Sequence, residues 1–172
     1  MRPTITVGVA DHWGWAVLVA VDAKGAMVDR RRVELVGAGV SKYPHHVDGQ
    51  KLPMQQAVEL VAQVGRSVRA EAQARLEELA RSFKVKAIAL RVLPTLPPTV
   101  EERLTDTRAR NVADSVMYRE ALAAAAESLG IQVHWYEEKK LKLPAGKGPG
   151  RPWTKDHRVA MASALEARRK AD

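Results

Sequence analysis

The sequence predicts an α/β protein: one five-stranded mixed sheet with helices on its faces, the elements running βββ-α-β-α-β-α. Three observations carry this. Residues 4–36 hold three strand-like runs separated by short turns, the first in two-residue alternation. A period of three to four residues replaces that alternation over residues 53–83. Beyond it, apolar strand-like runs and helical stretches alternate, which right-handed parallel crossovers turn into neighbouring parallel strands. At 172 residues the chain is expected to form a single domain, 1–172, with a real core.

Each element has a local reason. Ile5, Val7 and Val9 alternate with Thr4, Thr6, Gly8 and Ala10, small residues that suit a buried strand. A second run, Trp15 to Val21, follows "DHWG", and "DAKG" at 22–25 is a hairpin turn in which Gly25 takes positive φ. "AMVDRRRVELV" is the third strand, polar on one face, and residues 40–52 are a loop. From Pro53 to Phe83 one stripe runs through Val58, Val61, Val64, Val68, Ala72, Leu76, Leu79 and Phe83. At 1.5 Å per residue this helix is roughly 45 Å long. That exceeds what a small sheet covers, so its end is expected to project, or the helix to break near Gly65. "VKAIALRVLP" is a central parallel strand, and "PTLPPTVEERLTDTRARN" a loop with about one helical turn. Asn111 or Asp114 caps a helix that Gly130 stops, "IQVHWYE" is the fifth strand, and Thr154 caps the last helix.

Composition excludes several chemistries. There is no cysteine, hence no disulfide, thiolate zinc site or cysteine nucleophile. No window approaches the roughly 20 apolar residues that span a bilayer. "MRPTITVGVA" enters a strand without a signal-peptide core, so a soluble, cytoplasmic protein is expected. The glycines of "AGKGPG" do not form a phosphate-cradling GxxxxGK[ST] loop, and no serine lies in a Gly-x-Ser-x-Gly elbow. His45 and His46 stand side by side in a loop without a third ligand.

The net charge of +8 is uneven. Residues 139–172 carry ten Lys/Arg against three Asp/Glu, so nearly all the excess lies in the last fifth of the chain. Lys139, Lys140, Lys142, Lys147, Arg151, Lys155 and Arg158 surround Trp153 in a Gly/Pro-rich loop. Cations with a flat ring suit phosphates and a base, and these eight residues are the candidate nucleic-acid contacts. A solubilising terminal helix is the other reading. Trp13 and Trp15 flank a turn, where they either stack on bases or cover a sheet edge.

One residue needs explaining: Asp11 closes a run of buried strand residues. Taken with the element order, the block "VGVADHWGWAVLVAVDAKGAMVDRRRVELV" and the helix start "WTKDHRVAMASALEA", it resembles the ribonuclease-H-like superfamily over nearly the whole chain. Within that superfamily it is most similar to RuvC-type Holliday-junction resolvases. The resemblance implies an Mg²⁺- or Mn²⁺-dependent nuclease. Two metal ions would lie between carboxylates from the first strand, the fourth strand and the last helix, one activating water and the other steadying the leaving oxygen. Asp11 matches the first position and Asp156 or His157 the last. Asp11 and Asp156 are the implied metal ligands, and Asp11, Asp156 and His157 the implied catalytic residues.

The residues also depart from that pattern. "VKAIALRVLP" has no Glu, and after Lys86 near its start its only charge is Arg91. Gly8 and Asp11 are three apart and fall on opposite faces, so Asp11 shares a face with Val7 and Val9. Val159 and Ala160 stand one turn after Asp156, where a further acid belongs. Asp11 therefore has two other readings, a cap of the "DHWG" turn or an ion pair with Arg91. Asp156 has one, a carboxylate favoured in the first turn of a helix. His12 and His157 meet only if both flank the same sheet edge. The functional expectation is a nucleic-acid-acting protein, DNA before RNA, with no membrane partner. The alternative is a catalytically inactive binding or scaffold module that needs no metal and dimerises through the 53–83 helix.

Overall fold

Two-residue alternation in the first strand decides how the whole molecule is layered. A computed structural model describes residues 1–171. β1 (Thr4–Asp11), β2 (Trp15–Asp22) and β3 (Met27–Glu34) form an antiparallel meander. β4 (Lys84–Arg91) joins β1 in parallel and β5 (Gln132–Tyr136) joins β4, giving the order β3-β2-β1-β4-β5. The expected mixed five-stranded sheet is therefore observed. The hairpin turn is built as the sequence implies: Asp22 accepts from the N–H groups of Lys24 and Ala26, and Gly25 has φ 85°.

Helices α1 (Met54–Ser82) and α3 (Thr107–Ser128) cover one face, and α4 (Lys155–Ala171) covers the other. On β1, Val7 and Val9 pack beneath α1 and α3, while Ala10 packs beneath α4 with Val17 and Val19. Gly8 permits this second contact. A Cβ there would stand 1.8 Å from the Ala160 carbonyl oxygen and 2.5 Å from Ser163 Oγ, so α4 lies directly on the β1 backbone.

Three local expectations are corrected. α1 is unbroken at Gly65, and its buried stripe continues from Ala57 to Leu79, so no end projects. The first turns pack on Leu104 and the rest on the main core. The argument for a homodimer through this helix loses its basis. Second, the Pro-rich segment yields two helices. Thr99 and Glu102 form a reciprocal cap on α2 (Val100–Thr105), and Asp106 accepts from Ala109 N–H to cap α3. Asn111 and Asp114 lie inside α3 and do not cap it. Third, Thr154 precedes α4, but the accepting atom is His157 Nδ1, which takes the Thr154 N–H at 3.2 Å and lies 2.9 Å from its hydroxyl. Among the described residues, no helix is long and apolar enough to cross a membrane.

Candidate functional site: the cleft at the strand ends

β1 and β4 run parallel, so their carboxyl ends open on the same side, the side from which α4 starts. There a cleft of about 290 Å³ is lined by Ala10, Asp11, His12, Arg91, Tyr136, Glu138, Lys155, Asp156 and Val159. Asp11 and Asp156 thus line one cleft, with His12 and Glu138.

Their bonds assign them different neighbours. Asp11 keeps the face of Val7 and Val9, towards α3, and its side chain is only 1 % exposed. Its Oδ2 stands 3.3 Å from Arg119 Nε of α3 and accepts from Arg91 Nη2 of β4 at 3.4 Å. The ion pair with Arg91, one of the three readings open from the sequence, is present. His12 falls on the other face and reaches α4, its Nε2 2.9 Å from Asp156 Oδ1. Alternation alone explains this: His12 is in step with Gly8 and Ala10, and Asp11 is not.

Arg119 went unnoticed in the sequence. It donates to the carbonyls of Val92 at 2.6 Å and Arg91 at 3.3 Å, and through Nη2 to Ser115 Oγ at 3.0 Å. It thereby clamps the end of β4 to α3 and to Asp11. Burial lowers its pKa, with Asp11 opposing that effect. The only signal was its place on a stripe with Ser115 and Leu122, one turn apart on a helix whose buried side is mostly alanine. Glu138 was missed as well. It lies 3.6 Å from Arg91 Nη1 and 3.5 Å from Lys155 Nζ. Positive and negative groups therefore alternate through Arg119, Asp11, Arg91, Glu138 and Lys155. Tyr136 closes the floor, its hydroxyl donating to the Val9 carbonyl at 2.6 Å, and burial pushes its pKa well up.

His157 does not meet His12. It is buried against Trp153, with ring centroids 5.6 Å apart, and burial followed by the Arg30 cation lowers its pKa. Trp15 is sandwiched between His12, stacked at 4.2 Å, and the Arg32 guanidinium, 3.9 Å from its ring centre. Both its faces are covered, so it cannot stack on a base. Trp13 is exposed and meets Tyr43 edge-on.

The basic loop is anchored on its C-terminal side. Arg30 of β3 donates to the carbonyls of Gly150 and Pro152 at 3.0 Å and of Arg151 at 3.3 Å. The Trp153 ring lies on Gly148, whose φ is 68° and where a Cβ would stand 2.3 Å from the indole. Lys147 and Arg151 are presented outward on this folded loop, and Lys139 and Lys155 border the strand ends. Lys140 pairs with Glu137 at 2.8 Å, Lys142 lies beside Arg169 in a separate cleft, and Arg158 turns back toward Gly146. The predicted contacts therefore do not form one patch. Away from the cleft, His45 and His46 are tied down by Asp114: it accepts from both backbone N–H groups and lies 2.8 Å from His45 Nδ1. That buried pair fastens the 40–52 loop to α3.

The residues of the cleft do not fit the pair of divalent ions that the resemblance implies. Such ions need several oxygen ligands with uncompensated negative charge. Here Asp11 faces two guanidinium groups, Glu138 faces Arg91 and Lys155, and Asp156 faces His12. Among the described residues, no three His, Asp or Glu side chains are grouped so as to hold a metal ion.

Solved structures match this architecture over nearly its whole length. A Thermus thermophilus RuvC, solved in complex with a Holliday junction substrate, has 18 % identity and a TM-score of 0.52, covering 96 % of this chain and 91 % of that one. The chain has the RuvC fold. A second Thermus thermophilus RuvC structure has 16 % identity and a TM-score of 0.52, covering 97 % of each chain. The sheet order and the helix placement are those of the ribonuclease-H-like fold of RuvC. No family model matches the chain, and no curated protein matches it.

Proposed function

We propose that the chain is a nucleic-acid-binding module on the RuvC fold, with DNA as its partner, that does not cleave through paired metal ions. The observation that carries the second half is the Asp11 carboxylate, buried and held between Arg91 and Arg119. Two cations beside one carboxylate already offset its charge, and a metal ion there would meet their repulsion. Two observations support the first half. Exposed cations stand along the strand ends and the pinned loop: Lys139, Lys147, Arg151 and Lys155. In addition, a RuvC with this fold is solved on a Holliday junction substrate.

The test is fluorescence anisotropy with a four-way junction and a linear duplex in EDTA, at 50 and 200 mM salt. If those four cations each neutralise one phosphate, affinity falls roughly a hundredfold between the two concentrations. Affinity that ignores salt, or no binding at all, refutes the reading. Cleavage that appears with Mn²⁺ and disappears in Asp11→Asn replaces it with the metal-dependent nuclease.

A further inference from the structure

Next to the Asp11 cleft, the ends of β4 and β5 open into a groove of about 690 Å³. Val92, Leu141 and Leu143 supply its apolar wall, and Arg91, Lys139 and Lys155 its cations. Its size falls within the range of small-molecule sites. Val92 is 40 % exposed and Leu143 41 %, so this apolar surface is open to solvent. The two acids of the groove are already engaged, Glu138 with Arg91 and Lys155, and Glu137 with Lys140. Lys139 has no ion pair among the described residues. The groove thus presents apolar surface beside a free cation, and it shares Arg91, Glu138 and Lys155 with the Asp11 cleft.

We infer that this groove is a subsite for one unpaired nucleotide, its base against Val92, Leu141 and Leu143 and its phosphate on Lys139. The inference rests on the nucleic-acid reading above. A bare phosphate would leave the apolar wall uncovered, and a purely apolar ligand would leave Lys139 without a counter-charge. In a duplex, base faces are stacked and unavailable. A single-stranded nucleotide offers both an apolar face and an adjoining anion, without the few kcal/mol that extrusion from a duplex costs. The groove therefore confers a preference for overhangs or flaps over continuous duplex. Trp15, with both faces covered, does not compete for the base.

The experiment uses the full chain in EDTA and three DNAs: a blunt duplex, the same duplex with a three-nucleotide overhang carrying 2-aminopurine, and that overhang made abasic. The overhang is expected to bind about tenfold more tightly than the blunt duplex, the scale of burying a modest apolar surface. Its 2-aminopurine emission shifts on binding. The affinity gain disappears with the abasic overhang, and both effects disappear in Leu143→Asp. Leu143→Ala, which adds no charge to the exposed loop, gives a partial loss if the aspartate variant fails to fold. Equal affinity for all three DNAs with the salt dependence intact overturns the subsite and leaves the nucleic-acid reading standing. Loss of binding to every DNA overturns both. Binding of an acidic, leucine-containing peptide in their place, abolished by Leu143→Asp, assigns the groove to a protein partner.

Discussion

Replacing Asp11 with Asn removes one negative charge and almost no volume, so its effect isolates what that charge does. The Asp11 side chain is 1 % exposed and Arg119 5 %, and their atoms stand 3.3 Å apart. Removing one partner of a buried pair costs about 3–5 kcal/mol, because the other charge is left uncompensated. Arg119 keeps its bonds to the Val92 and Arg91 carbonyls and to Ser115, so the lower end applies, about 3 kcal/mol. Arg91, 36 % exposed, adds little because water already screens it. For a chain of this length, about 3 kcal/mol corresponds to a fall in Tm of roughly 6–12 °C. The assay is urea unfolding in EDTA, followed by circular dichroism, for Asp11→Asn, Arg119→Met and the double variant. The double variant is expected to lose less than the sum of the singles, since Arg119→Met removes the orphaned charge. A carboxylate kept only to bind metal behaves oppositely: without metal, Asp11→Asn leaves stability unchanged or raised. That result would refute the structural reading of Asp11.

Further outcomes follow from other contacts. Gly8→Ala drives a methyl into the Ala160 carbonyl at 1.8 Å and is expected to cost at least 1–3 kcal/mol, roughly the overpacking range, read by the same unfolding assay. Arg30→Ala releases the three carbonyls of the 150–152 segment, so trypsin is expected to cut after Lys147 many times faster while the global Tm changes little. His157 has its pKa lowered by burial, so the folded state favours the neutral ring, whose Nδ1 accepts the Thr154 N–H. The unfolded chain binds that proton more readily, so the stabilisation is complete above about pH 6.5 and is lost as the pH falls below it. His157→Gln preserves an acceptor without titrating and is expected to lose less Tm between pH 7.5 and 5 than the parent chain.

The layering was readable because alternation and helical period are local properties. Alternation also placed Asp11 on the face of Val7 and Val9, and the same count would have directed His12 toward α4. The rest depended on contacts distant in sequence. Arg119 lies 108 positions from Asp11, and nothing near either residue names the other. Glu138 reads as one acid in a charged stretch until β5 and the start of α4 bring it beside Arg91 and Lys155. Helix length alone suggested that α1 projects, because the sequence does not reveal that Leu104 of α2 extends the surface that covers its first turns. The loop at 146–153 looked flexible by composition, and Arg30, from the opposite edge of the sheet, is what fixes it.

Titrating the chain with Mn²⁺, free and bound to a four-way junction, and counting bound ions by electron paramagnetic resonance tests the central claim most directly. With Arg91 and Arg119 holding Asp11, the chain is expected to bind no ion in stoichiometric amount at millimolar Mn²⁺, beyond those that the junction DNA alone binds. One or two ions per chain, lost in Asp11→Asn, would contradict it.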